Sequence, residues 1–282
     1  MTDRYATVQE ELTRASAQIR LDVVRMIGPE NRGHFGGSMS AADIIAALYF
    51  HVMRIHPGDP AWPQRDRFIL SKGHSCPAQY AALARRGYFP VEELMTLKEC
   101  GSRLQGHPDR SKLPGIEANT GSLGQGLSQG VGMALALRAD APDARVYVMV
   151  GDGELDEGQV WEAVLFAGAH QLENLIAIVD RNRLQAMGST QERLNYGEPG
   201  PKFAAFGWHV SHADGHDFGS LLAAFDEAKA VKGRPAVIVA ETVKGRGIAC
   251  AENVVGFHNG LLTQEQYEQA VGCLQNALGG GR

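Results

Sequence analysis

The sequence predicts an α/β fold: a parallel sheet with helices on both faces. Three observations carry that expectation. First, short apolar and β-branched runs recur, at Val146 to Val150, Leu175 to Val179 and Pro235 to Ala240, and continuously apolar strands are those buried on both faces. Second, stretches of helical periodicity separate the runs, and such alternation implies parallel pairing through right-handed crossovers. Third, two of the runs end abruptly, one in Gly151-Asp152-Gly153-Glu154 and the other in Asp180-Arg181-Asn182. That ending brings a carboxylate and an amide oxygen to one edge of the sheet, where open α/β sheets bind ligands.

From the N-terminus, Val8 to Ile27 carries Leu12, Ala15, Ile19 and Val23 at helical spacing and stops at Gly28-Pro29. This region, about residues 1–27, reads as a helical arm. Ser40 followed by Asp43 offers a capping box for a helix over Ala41 to Phe50. Arg67 to Leu70 is a short strand entering the loop Ser71-Lys72-Gly73-His74, and Pro77 to Arg86 is the helix after it. Ser122 to Gly126 leads into a small-residue helix, Leu127 to Ala139. The strand at Val146, a helix over Gln159 to His170 and the strand at Leu175 follow, then a loop from Leu184 to Pro201. Trp208-His209-Val210 is a further strand. Asp214 to Asp217 turns into a helix running through Val231, and Pro235 to Ala240 closes the series. With no repeat and no linker, the whole 282 residues read as one domain, ending in a glycine-rich tail at about residues 278–282.

Composition narrows the function. The chain is 44% hydrophobic and 21% charged, ordinary values for a globular protein. Its net charge of −5 and lack of a basic run give no nucleic-acid or membrane surface. Cys76, Cys100, Cys250 and Cys273 are scattered, which argues against a zinc cluster or disulfide framework and fits a reducing compartment. The polar opening Met1-Thr2-Asp3-Arg4-Tyr5 lacks a signal core, so a cytoplasmic protein is expected.

The oxygen ligands at the sheet edge suit Mg²⁺, which prefers carboxylates and phosphate oxygens. The flanking glycines let the backbone approach a diphosphate. Asp152 to Glu157 is not a calcium loop, since Glu157 stands where that loop needs glycine. Gly121 to Gly126 lacks the order of a dinucleotide fingerprint. His34, His74, His107 and His258 all sit in glycine-rich or proline-adjacent loops, and imidazoles near neutral pKa suit proton exchange with sugar hydroxyls and carbonyls.

Gly151-Asp152-Gly153 followed by Asn182 resembles the fingerprint of thiamine diphosphate enzymes. Gly33-His34-Phe35-Gly36-Gly37-Ser38, Ser71-Lys72-Gly73-His74, Gln105-Gly106-His107-Pro108, Thr120 to Gly126, Gly151 to Gly158 and Val243-Lys244-Gly245-Arg246-Gly247 together resemble the diphosphate-binding half of transketolase. The resemblance spans about residues 10 to 260. It implies that Asp152, Asn182 and the Leu184 carbonyl bind Mg²⁺, and that Gly151, Gly153 and Glu154 lie along the diphosphate of thiamine diphosphate with His74 close by. Gly121, Ser122 and Leu123 would border the cofactor. His34 and His258 would polarise or protonate oxygens of the reacting sugar, His107 would contact substrate hydroxyls, and Glu157 would face a subunit interface.

The implied reaction moves a two-carbon ketol unit from a ketose, free or phosphorylated, to an aldose. In the family a second, pyrimidine-binding domain follows, and Leu261 to Arg282 cannot hold it. The resemblance therefore implies the N-terminal subunit of a split transketolase with a separately encoded C-terminal partner, as an α2β2 heterotetramer. Two local departures leave the substrate open. Phe257-His258-Asn259-Gly260 stands where split relatives carry Trp-His-Gly, and Ala186-Met187-Gly188 replaces Ile-Asp-Gly. The alternatives are a 2-oxo acid dehydrogenase α-type subunit, a specialised ketol transferase of secondary metabolism, or a non-catalytic regulatory half.

Overall fold

The computed structural model describes residues 6–279. The polar start at Met1 to Tyr5 and the end of the glycine-rich tail, Gly280 to Arg282, lie outside the described residues. Five parallel strands form the sheet in the order β1 (Arg67–Leu70), β2 (Val146–Gly151), β3 (Leu175–Arg181), β7 (Ala236–Glu241), β6 (His209–Asp214). Alternate strand residues face two separate cores. Phe68, Tyr147, Met149, Ile176, Ile178 and Ile238 point to one side. There they meet α1 (Ala6–Ile27), α2 (Phe35–Ala47), α3 (Cys76–Arg85), α8 (Phe218–Ala230) and α9 (Gln264–Gly279). Ile69, Val146, Val148, Val150, Ala177 and Val179 point to the other side, against α4 (Gln125–Asp140), α5 (Gly158–Ala169) and α7 (Pro199–Ala205).

The crossover from β2 to β3 runs through α5 on one face, and that from β6 to β7 through α8 on the other. Strand order therefore reverses between the adjacent β3 and β7, a topological switch point whose carboxyl end opens a crevice for ligand.

Several elements depart from the expectations drawn from sequence. The second helix starts at Phe35, with His34 at its cap position, so Ser40 and Asp43 lie inside it and form no capping box. Both side chains are buried and serve tertiary partners instead: Ser40 Oγ donates to Asp180 Oδ2 at 2.7 Å, and Asp43 pairs with Arg20. The α-helix then loosens into a π-turn over Leu48–Val52. Leu184 to Pro201 is not a plain loop but folds as a small hairpin, β4 (Leu184–Gln185) with β5 (Gly188–Ser189), and then α6 (Thr190–Arg193), before α7 starts at Pro199. A reciprocal capping box, Ser189 with Glu192, starts α6. Strand β6 continues to Asp214, and Asp217 caps α8 by accepting from Ser220 N at 2.6 Å.

Helix α1, read as an arm, is packed in the helical layer with Ile19, Val23 and Val24 fully buried. Helix α9 occupies residues for which no element was expected, reaches into the start of the expected glycine-rich tail, and lays Ala270 and Leu274 on the same core. No helix among the described residues is long and apolar enough to cross a membrane.

Candidate functional site

The strand ends of β1, β2, β3 and β7 deliver the site. Register pairs Gly151 with Asp180 and Asp180 with Ala240, so the segments leaving these strands emerge side by side. A cavity of about 160 Å³ opens there. Asp152, Asn182 and Leu184 line it, with Gly151, Gly153 and Glu154 on the β2 side and His74, Leu123 and His258 around the rest.

Asp152 is buried. Its Oδ1 accepts from Gly153 N at 2.8 Å, and its Oδ2 accepts from Arg183 N. Burial, reinforced by the negative charge of Asp180, raises its carboxyl to about 7. Asn182 Oδ1 accepts from Leu184 N at 3.1 Å. Between these two ligand candidates Arg183 adopts a left-handed backbone, φ 65. That bend turns the Asn182 side chain and the Leu184 carbonyl toward the same cavity. The three oxygens are a hard donor set of the kind Mg²⁺ takes.

Lys244 Nζ reaches into the same space, donating to the Leu184 carbonyl at 2.7 Å and to His258 Nδ1 at 2.8 Å. Burial, and then the charge of Lys72, lowers its ammonium to about 8. Since Nδ1 of His258 accepts, a neutral His258 carries its proton on Nε2. Lys72, also buried on the cavity wall, donates to the Gly37 carbonyl at 2.9 Å and forms an ion pair with Asp180. Ser40 and Thr242 complete the Asp180 carboxylate, whose pKa is lowered despite burial by Lys72 and these hydroxyls.

Four histidines from loops far apart in sequence come together here. The His34 ring centroid lies 5.0 Å from His74, 6.1 Å from His107 and 5.6 Å from His258, and His74 lies 5.1 Å from His258. A backbone bridge between Gly33 and Gly260 ties the His34 and His258 loops together. His34 is lowered to about 4 by burial and by nearby His107, Lys98 and Lys244. His258 falls to about 3 through burial and Lys244, and His74 and His107 are lowered chiefly by burial. All four are therefore neutral imidazoles near pH 7, able to accept or donate a proton.

Glycine is required where the loops touch. A Cβ on Gly73 would meet Thr120 Oγ1 at 2.6 Å and Gly121 N at 2.8 Å. Gly121 has φ +145, and its own Cβ would strike the His107 ring at 2.8 Å.

Glu154 borders the cavity, yet its carboxylate is engaged by Ser71 Oγ, Gly124 N at 2.8 Å and Gly151 N at 3.0 Å, a brace between three loops. Ser122 and Glu157 are exposed, Glu157 at the start of α5. Sequence reasoning did not single out Lys72, Lys244 or Asp180. The two lysines stand inside glycine-flanked motifs, and Asp180 ends an otherwise apolar strand; a charge in such a setting is the available signal.

Residues 12–278 match the family described as transketolase, thiamine diphosphate binding domain. The chain belongs to the transketolase family. It is 47% identical over 268 residues to the 6-deoxy-6-sulfo-D-fructose transketolase subunit SqwG of Clostridium sp. (strain MSTE9), covering 95% of this chain and 97% of that one. It is 40% identical over 262 residues to one of the subunits of apulose-4-phosphate transketolase from Phocaeicola vulgatus, covering 93% of each. Transketolase from Leishmania mexicana superposes with a TM-score of 0.86 at 35% identity, over 95% of this chain and 41% of that chain. The chain thus matches proteins named as transketolase subunits over nearly their full length and the longer Leishmania mexicana transketolase over less than half. Its extent matches that of an N-terminal subunit of the split type, one part of a transketolase-type transferase.

Proposed function

We propose that this chain holds thiamine diphosphate through a divalent cation bound by Asp152, Asn182 and the Leu184 carbonyl, and carries out ketol transfer together with a separately encoded pyrimidine-binding subunit. The observation that carries the reading is the gathering of Asp152, Asn182, Leu184, Lys244, His74 and His258 around one cavity at the sheet edge, with His34 packed against both histidines and His107 against His34. The donor set fits the group. Asp152 would supply a buried carboxylate for the cation, and Lys244 with the backbone at Gly151 and Gly153, which line the same cavity, would hold the diphosphate.

Bound thiamine diphosphate supplies a nucleophilic carbon and an electron sink for cleaving the bond beside a ketone. This chain's residues do the rest. His34 and His258 hold or move protons at the sugar oxygens, and His74 stands by the diphosphate. His107 meets substrate hydroxyls, Gly121, Ser122 and Leu123 border the cofactor, Glu154 braces its loop, and Glu157 faces a neighbouring subunit. The chain acts as one thiamine diphosphate-binding unit, paired as an α2β2 heterotetramer in the cytoplasm, where its four free cysteines stay reduced.

The donor is a ketose or ketose phosphate. A specialised donor is the second reading, favoured by relatives named for 6-deoxy-6-sulfo-D-fructose and apulose 4-phosphate. The test mixes this chain, its partner, Mg²⁺ and thiamine diphosphate with xylulose 5-phosphate and ribose 5-phosphate, and in parallel with the sulfonated and branched donors. Product formed only when both chains are present supports the reading. Tight cofactor binding with no product from any pair overturns the catalytic role and leaves a regulatory half.

A further inference from the structure

A buried polar chain outside the cavity ends on the segment that carries Lys244. Arg20, on α1, donates from Nη1 to Asp43 Oδ1 at 2.8 Å and from Nη2 to Oδ2 at 2.5 Å, and Asp43 lies on α2. His216, in the turn before α8, meets the same Oδ2 through Nδ1 at 2.6 Å. Its other nitrogen, Nε2, accepts from Val243 N at 2.8 Å. An accepting Nε2 fixes the tautomer: the proton is on Nδ1 and points at Asp43. Val243 immediately precedes Lys244. Thr242, on its other side, is fixed by its hydroxyl to Asp180 and by its N–H to the Arg181 carbonyl at 3.1 Å. The Arg20 fork thus orients Asp43, Asp43 orients His216, and His216 holds a backbone N–H one residue from the ammonium in the cavity.

We infer that Arg20, Asp43 and His216 are positioning residues that hold the Val243–Lys244 segment so that the Lys244 ammonium projects into the cofactor cavity. The inference that this matters for diphosphate binding rests on the function proposed above; the inference about Lys244's placement does not. If His216 is replaced by a group that cannot accept from Val243, the half-buried N–H loses its protein partner. The segment then loses its tether to Asp43, and the Lys244 side chain is freed to shift with it.

The test uses the full chain as wild type, His216→Gln and His216→Asn. A glutamine amide oxygen reaches the place of Nε2 and can accept from Val243. An asparagine amide reaches only the place of Nδ1, keeping the bond to Asp43 and losing Val243. Acylation of lysines, read by mass spectrometry against exposed Lys98 as internal reference, reports the placement of Lys244 with no ligand present. Calorimetry with Mg²⁺ and inorganic diphosphate reports the cavity.

Asparagine is expected to label Lys244 about tenfold faster and to weaken diphosphate binding about tenfold, while glutamine stays near wild type, even where both lose similar thermal stability. Arg20→Lys, a milder change at the far end, is expected to give an intermediate labelling rate. Equal Lys244 labelling in the Asn and Gln variants would overturn the positioning role. Faster labelling in the Asn variant, with no diphosphate bound even by wild type, would support the positioning and sink the diphosphate reading instead.

Discussion

Asp152 concentrates the chemistry at the scale of single residues. Its carboxyl is raised to about 7 by burial and by Asp180, so ligand-free protein holds a proton there that the unfolded chain has released. The folded state then binds more protons than the unfolded one between about pH 4 and 7, and this contribution to stability is lost as pH rises through that window. Wild type should therefore lose melting temperature relative to Asp152→Asn as pH rises from 4 to 7, and Mg²⁺ should reverse the loss. A pH-independent difference between the two proteins would count against the buried anion. Asp152→Ala should abolish Mg²⁺-dependent thiamine diphosphate binding in the assembled complex, and unchanged affinity by calorimetry would refute the cradle.

His34 is expected to act on the reacting oxygens rather than on the cofactor. His34→Ala should keep cofactor binding and slow turnover at least about tenfold, in line with the roughly 2.7–4 kcal/mol of barrier that one preorganised donor supplies. Intact turnover at saturating substrate would make His34 structural.

At the scale of elements, the segment leaving β3 is set by backbone geometry. Arg183 at φ 65 bears a cost of about 1–2 kcal/mol for a conformation that glycine adopts freely. Arg183→Gly should therefore keep cation affinity, whereas Arg183→Val, β-branched and least tolerant of that region, should weaken it about tenfold. If both bind the cation equally well by calorimetry, the left-handed bend does not shape the ligand set. Helix α2 shows the same coupling between elements. Ser40 and Asp43 read locally as a capping box, but they are interior residues whose partners come from β3, α1 and the turn before α8. Local pattern cannot see partners that only the fold brings near.

The whole molecule brings His74, His107 and His258, each from a separate loop, within about 6 Å of His34, and places His74 and His258 on the cavity at the strand ends. The proposed partner subunit completes the reaction site at this scale. The chain alone is expected to bind the cofactor components and to show no ketol transfer; addition of the partner should restore it. Transfer by the chain alone would remove the need for a second subunit.

Much of this was legible in the residues. Apolar strand runs, glycine-flanked acids and loop histidines follow from local chemistry, because burial on two faces demands apolar side chains and a diphosphate demands close backbone approach. The same residues, through their resemblance to transketolase, pointed to the family. The tertiary structure alone decided the strand order, the helix over Gln264–Gly279 whose inner face became visible only against α1, and the engagement of Glu154 as a brace. It also revealed the buried pairs Lys72–Asp180 and Arg20–Asp43. A sequence displays which groups a chain carries, while which buried charge neutralises which is settled by long-range packing, where desolvation forces each ion to find a partner.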